Sequence, residues 1–162
     1  GNALADGDIA SLDDEVTTYV PELKDTAYEG ATLRNILNMS SGIRYNEDYL
    51  DQQSDINKMG RTIALGGSLD EYTITLKDRQ FEPGTDWQYV SMDTHVAAWA
   101  LRKATGRTLH DLWEETYGPL GFRQQPYYMV DGKDVAFALG GLNLTTRDYA
   151  KFGQLFLQMV SQ

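Results

Sequence analysis

The sequence contains no cysteine, and only 4 of its 162 residues are proline. Without cysteine, the chain can form no disulfide framework, no thiol nucleophile and no zinc site built on sulfur. Basic residues are also scarce, because 14 Lys and Arg stand against 24 Asp and Glu, which leaves a formal net charge of −10. This charge repels phosphates and anionic membrane surfaces. We therefore expect neither nucleic acid nor a membrane surface as the main partner.

Long apolar segments are missing as well. No apolar run approaches the roughly 20 residues that span a bilayer, and the first residues do not resemble a signal peptide. We therefore predict no membrane span and expect a soluble protein, although the sequence does not identify its compartment. Hydrophobic residues still make up 41% of the chain, with ten tyrosines and three tryptophans, which is enough material for a core. No repeat or linker divides residues 1–162, so we predict a single domain.

The spacing of apolar residues predicts an α+β fold that is predominantly helical. The strongest helix signal follows Ser91, keeps three-and-four spacing to Ala104 and is closed by Gly106. Residues 45–68 read as a long loop with one or two helical turns. Asp131-Gly132 predicts a short β-hairpin between strands at 127–130 and 135–139. Further helices are predicted before Gly7, from Leu12 to Val20, after Thr32, from Leu69 to Leu76, between Thr108 and Gly118, and after Thr145.

The stretch from Trp87 to Asp93 is the first candidate for a functional site. Tyr89 and Ser91 lie where a turn leads into the main helix, a position that active-site groups favour. The simpler alternative is that Ser91 caps the helix while Tyr89 packs against the core.

A metal site or bound cofactor is not predicted. His95 and His110 are too far apart in sequence to form a local metal pair, and the acidic residues 46–51 lack the central glycine of a calcium loop. These acidic residues instead indicate a solvated lid. No nucleotide-binding glycine motif is present.

Several short motifs, in this order and spacing, resemble the serine β-lactamase and penicillin-binding superfamily. Within it, the chain is most similar to class C-like esterases and amidases of the 6-aminohexanoate-dimer hydrolase type, because of residues 45–49 and the Tyr89-x-Ser91 pattern followed by Trp99. The motifs are Leu33-Arg34-Asn35-Ile36-Leu37-Asn38-Met39-Ser40-Ser41-Gly42, Glu82-Pro83-Gly84-Thr85, Tyr89-Val90-Ser91, Ala104-Thr105-Gly106, Pro119-Leu120-Gly121, Gly140-Gly141-Leu142 and Thr146-Arg147-Asp148.

The resemblance implies a reaction and roles for three residues. Members of the superfamily cleave small esters or amides through a serine acyl-enzyme, with a Ser-x-x-Lys pair, a tyrosine, and a late Lys/His-Thr/Ser-Gly motif. Tyr89 matches the tyrosine that acts as general base or acid, and Ser91 matches the polar third position that orients groups near the nucleophile. Tyr45 is similar to a loop tyrosine that covers the substrate. The implied fold is the helical portion of a β-lactamase or transpeptidase-like domain.

The sequence departs from this pattern at the nucleophile. None of its serines is followed three residues later by lysine; they are Ser11, Ser40, Ser41, Ser54, Ser68, Ser91 and Ser161. We therefore expect residues 1–162 to form a partial domain that lacks the Ser-x-x-Lys and late motifs, to be inactive alone, and to partner the missing segments of the same polypeptide. Apolar surface left uncovered predicts self-association into a homo-oligomer. The alternative hypothesis is a non-catalytic binding or self-associating module derived from that fold.

Overall fold

The computed structural model describes residues 1–160, with side chains as far as residue 158, and it is mainly helical. The predicted α+β class with a predominance of helices is confirmed. Its one two-stranded sheet pairs β1 (Tyr127–Tyr128) with β2 (Leu142–Asn143) in antiparallel register. None of the described helices is long and apolar enough to cross a membrane. The helices are α1 (Asn2–Ala5), α2 (Val16–Tyr19), α3 (Leu33–Leu37), α4 (Asp55–Ala64), α5 (Leu69–Thr73), α6 (Ser91–Thr105), α7 (Leu109–Tyr117) and α8 (Thr146–Val160).

Helix α6 forms the centre of the core. It packs against α1, α2, α3 and α5. Met92, Val96 and Ala100 are fully buried and Trp99 is nearly so, as their three-and-four spacing predicts. The helix ends at Gly106, whose left-handed φ of 66° is typical of a glycine after a helix.

Side-chain caps fix the starts of three other helices where the sequence predicts them. Thr32 forms a capping box at α3, and Thr108 forms one with Asp111 at α7. At α8 the Thr145 hydroxyl donates to the Asp148 carboxylate at 2.7 Å and accepts from the Asp148 N–H at 3.2 Å. Each cap satisfies backbone donors that a first helical turn leaves unpaired.

The predicted loop over residues 45–68 is wrong in its central part, where α4 is a regular helix of ten residues. Ser54 caps it by accepting a backbone N–H from the first turn, while Ile56 and Met59 turn inward and are buried. Gly60 lies inside the helix, and a glycine there costs only about 1 kcal/mol relative to alanine. The burial of this apolar face outweighs that cost.

The predicted hairpin forms only in part. Its two strands meet only at an isolated bridge between Val130 and Ala136, and β1 pairs instead with β2. The chain curls after Ala136, because the Phe137 carbonyl accepts the Gly141 N–H at 2.7 Å. Gly132 is required for a close approach, since a Cβ there would lie 1.8 Å from the Gly66 carbonyl oxygen. The Asp131-Gly132 pair therefore marks a packed turn.

Two predicted helices are shorter in the structure. Helix α2 begins at Val16 instead of Leu12, because residues 11–15 form turns and Glu15 bridges to Thr32. Helix α5 ends at Thr73, three residues before Leu76. The Leu76 carbonyl instead accepts a hydrogen bond from the backbone of Ala27 at 2.9 Å. In both cases backbone pairing with a distant segment replaces helical bonds, at the start of α2 and at the end of α5.

Asp131 joins the packed turn to α5. Its buried carboxylate accepts the backbone N–H groups of Lys133 at 2.8 Å, Val135 at 3.0 Å and Leu69 at 2.8 Å.

Asp131→Ala should lower the free energy of unfolding by about 3 kcal/mol, because buried donors that lose their acceptor cost about 1–3 kcal/mol each. Urea unfolding measures the change. The control is Asp134→Asn on the exposed side of the same turn, and equal stability of the two variants would contradict this role.

Candidate active site

Tyr89-Val90-Ser91 leads into α6, and the structure separates the surroundings of its two polar residues. Val90 is the N-cap and makes no side-chain cap, so Ser91 is the first residue of the helix. Ser91 is 3% exposed, whereas Tyr89 is 50% exposed. The simpler alternative from the sequence, with Ser91 as N-cap and Tyr89 packed in the core, does not describe this arrangement.

The acidic loop of residues 45–51 lies against this helix start. The Ser91 backbone N–H donates to Glu47 Oε1 at 2.5 Å, and the Ser91 hydroxyl donates to Glu47 Oε2 at 3.1 Å. On the other side of Tyr89, the Gln88 amide donates to the Tyr45 carbonyl at 2.8 Å. The loop therefore contacts residues on both sides of Tyr89.

Two further motifs of the resemblance meet beside it. Gly42 has a left-handed φ of 83°, and a Cβ at this position would lie 2.1 Å from the Phe81 carbonyl oxygen. Gly84, with φ of 84°, donates its N–H to the Ser40 carbonyl at 2.8 Å. Glycine at position 42 thus allows the Ser40-Ser41-Gly42 turn to pack on the turn that precedes Tyr89.

Asp93, in the first turn of α6, is fully buried. The Tyr28 hydroxyl donates to its Oδ1 at 3.0 Å. Burial raises the pKa of Asp93 to about 7, although the polar groups of the neighbouring Ser41 and the hydrogen bond from Tyr28 oppose the rise and the charge of Glu47 adds to it. A carboxyl group that titrates near neutral pH therefore lies beneath the candidate site. In the sequence this group is recognisable only as an acid in the first turn of a helix.

Tyr45 lies inside the core and is 2% exposed. Burial, followed by the nearby Tyr72 and Glu47, raises its pKa far above the usual range, so its phenol stays neutral. The exposed tyrosine of this loop is Tyr49, at 66%. The alternation of buried Ile43, exposed Arg44 and buried Tyr45 is a strand-like signal that could have placed Tyr45 inside.

Tyr89 makes no hydrogen bond, ion pair or ring contact with the side chains of residues 1–158. No lysine or arginine of this part of the chain is therefore paired with its phenol. A tyrosine needs such a neighbour to become a ready base, because opposite charge stabilises the phenolate. Within the described residues, no group of three or more His, Asp or Glu is arranged to hold a metal ion.

The comparison with known protein families agrees with these motifs. A family model described as Beta-lactamase matches residues 1–161. The chain belongs to the Beta-lactamase family. The resemblance drawn from the ordered motifs is thus confirmed, and the fold corresponds to a mainly helical part of the β-lactamase fold.

Individual proteins similar to this chain include two hydrolases and an aminopeptidase. A 6-aminohexanoate-dimer hydrolase of Paenarthrobacter ureafaciens is 34% identical over 149 residues, which are 88% of this chain and 38% of that protein. A D-aminopeptidase of Brucella anthropi is 28% identical over 119 residues, 73% of this chain and 22% of that protein. A solved structure from Bacillus anthracis, described as a candidate 6-aminohexanoate-dimer hydrolase, has a TM-score of 0.81 at 25% identity and covers 97% of this chain and 43% of its own. The chain therefore spans less than half the length of these relatives.

The buried carboxyl of Asp93 makes stability depend on pH. Below about pH 4 it is protonated in both states; as pH rises toward 7 the unfolded chain releases this proton while the folded chain retains it, so stability falls and then stays level. At 1.36 kcal/mol per pH unit, the loss is about 4 kcal/mol. Asp93→Asn should remove it.

Urea unfolding between pH 4 and pH 8 measures this difference. The variant should gain stability relative to the natural chain as pH rises, whereas Asp8→Asn at an exposed position should follow the natural chain throughout. Parallel curves for the natural chain and Asp93→Asn would show that Asp93 ionises normally.

Proposed function

We propose that this chain supplies one corner of the active site of a serine hydrolase that cleaves small-molecule esters or amides through an acyl-enzyme. Tyr89 is the general acid or base, and Ser91 is the polar group that orients its surroundings. The isolated chain does not turn over substrate, because it lacks the nucleophile. The observation that carries the proposal is the half-exposed Tyr89 beside the anchored Ser91 at the start of a buried helix.

The relatives support an amide as the substrate class. The two curated relatives are named a dimer hydrolase and an aminopeptidase, and both names describe hydrolysis. An ester remains within the same class, because the acyl-enzyme forms in the same way from either carbonyl compound. In this chain Tyr89 is 50% exposed, so a substrate carbonyl can approach it.

The absence of catalysis in the isolated chain follows from two features. No serine of the sequence has a lysine three residues later. Tyr89 also has no cationic partner within residues 1–158. A phenol that has neither a cationic partner nor an activated hydroxyl to serve gives no route to an acyl-enzyme.

Contact between Tyr45 and the substrate remains part of the proposal, but it requires a movement of the loop. Tyr45 is buried and can touch a substrate only if the loop of residues 45–51 moves. Tyr49 is already exposed in the same loop, so it holds the outer position while Tyr45 supports the loop from below.

A chimera tests the proposed roles. The 149 matched residues of the Paenarthrobacter relative are replaced by those of this chain. Hydrolysis of p-nitrophenyl acetate and of the 6-aminohexanoate dimer is then measured. The chimera should turn over substrate, whereas the isolated chain should not. In the chimera Tyr89→Phe should lower kcat by about 10²–10⁴-fold, the usual contribution of general acid–base catalysis.

The matched control is Tyr127→Phe, which removes a hydroxyl from another exposed tyrosine. Full activity of the Tyr89→Phe chimera, or serine-dependent turnover by the isolated chain, would contradict the proposed roles.

The second candidate function is a non-catalytic module that binds a partner or a second copy of itself. It is favoured by an apolar groove of about 450 Å³ between α1, α3, α6 and α7, which includes Leu37, Leu101 and Trp113. Leu37 is 58% exposed, and Phe156 on α8 is 52% exposed. Apolar surface of this kind is typical of an interface.

Self-association follows from either candidate and has its own test. Sedimentation equilibrium of the isolated chain should give an average mass that rises with concentration. Leu37→Gln should lower that tendency several-fold because it places a polar group in the groove, whereas Thr18→Gln at an exposed position outside the groove should not. A monomer at every concentration would contradict the prediction.

A further inference from the structure

The first backbone donor of α6 finds its hydrogen-bond acceptor outside the helix. Its own N-cap, Val90, offers no side-chain acceptor. Both oxygens of the Glu47 carboxylate are used instead, one by the Ser91 N–H at 2.5 Å and one by the Ser91 hydroxyl at 3.1 Å. A carboxylate at the amino end of a helix is also favoured by the helix dipole. Glu47 thus performs the work of a cap from 44 residues away in sequence.

The loop that carries Glu47 is itself fixed. The Asn46 N–H donates to the Asp55 carboxylate at 2.9 Å, and the Asn46 carbonyl accepts the Ile56 N–H at 3.1 Å. The Asn57 amide donates to the carbonyls of Tyr49 at 3.1 Å and Asp51 at 2.9 Å. These bonds tie the loop to the first turn of α4. The carboxylate is therefore held in place before any ligand arrives.

The contact decides what Ser91 can offer. A serine hydroxyl has one proton and two lone pairs. Because the proton is donated to Glu47, the oxygen of Ser91 presents only acceptor capacity to other groups. Tyr89 is held between this contact and the bond from Gln88 to the Tyr45 carbonyl.

We propose that Glu47 is the positioning residue of the Tyr89-Val90-Ser91 corner, fixing the start of α6 and keeping the Ser91 hydroxyl as an acceptor toward substrate. This inference rests on the proposed function for its catalytic consequence. It stands on the contacts alone for its structural consequence. The two consequences can be measured separately.

Amide hydrogen exchange of the isolated chain, followed by NMR, tests the structural part. Glu47→Gln keeps the shape of the side chain, but its single carbonyl oxygen cannot accept both Ser91 bonds with a full negative charge. The Ser91 amide should exchange at least about tenfold faster in this variant, as local opening becomes easier. Glu47→Asp, which keeps the charge on a shorter side chain, should restore part of the protection.

The matched control is Glu71→Gln, the same chemical change on an exposed part of α5. It should leave Ser91 exchange unchanged. A second readout is Asp93, because removing the charge of Glu47 should lower the pKa of its carboxyl. Unchanged exchange of Ser91 in Glu47→Gln would overturn the proposal.

Kinetics of the chimera test the catalytic part. Glu47→Gln should lower kcat by about tenfold or more with a smaller change in KM, because the reacting geometry is disturbed more than binding. Full kcat together with faster Ser91 exchange would overturn the positioning role. If Tyr89→Phe keeps full activity, the proposed function fails, whereas the exchange experiment still decides whether Glu47 fixes the helix start.

Discussion

The buried amino end of α6 is the constraint on which the rest of the structure depends. Two carboxylates reach it, and their surroundings differ. Glu47 is partly exposed, and both of its carboxylate oxygens accept hydrogen bonds from Ser91. Asp93 is fully buried and has a pKa of about 7. The helix dipole favours negative charge at this end, but burial disfavours it at Asp93. Ser91 is therefore held by the Glu47 carboxylate, while a carboxyl group that titrates near neutral pH lies below it.

Motifs that are far apart in sequence meet around this helix end because backbones approach closely there. Gly42 admits the Phe81 carbonyl oxygen to a position that any Cβ would occupy. The acidic loop then closes on Gln88 and Ser91. Tyr89, between them, is the residue left facing outward. Three of the seven motifs of the resemblance, residues 33–42, 82–85 and 89–91, thus meet at this corner.

Local signals in the sequence predicted those parts of the fold that local interactions determine. The Thr32 and Thr108 caps and the buried face of α6 follow from spacing and side-chain type, as does the family itself from the ordered motifs. The misassigned parts depend on distant contacts. Helix α4 contains Gly60, and its stability comes from burying Ile56 and Met59. The role of Gly132 depends on the backbone of Gly66. Glu47 could not be singled out, because its partner Ser91 lies 44 residues away.

We propose that this chain carries the tyrosine corner of a serine hydrolase without a serine that can be acylated. The most direct test is the intact mass of the isolated chain after incubation with p-nitrophenyl acetate and, separately, with a fluorescent penicillin. With either reagent, no serine of the chain should carry an acyl adduct. A stoichiometric acyl adduct that peptide mapping places on one of the serines, Ser91 above all, would contradict it.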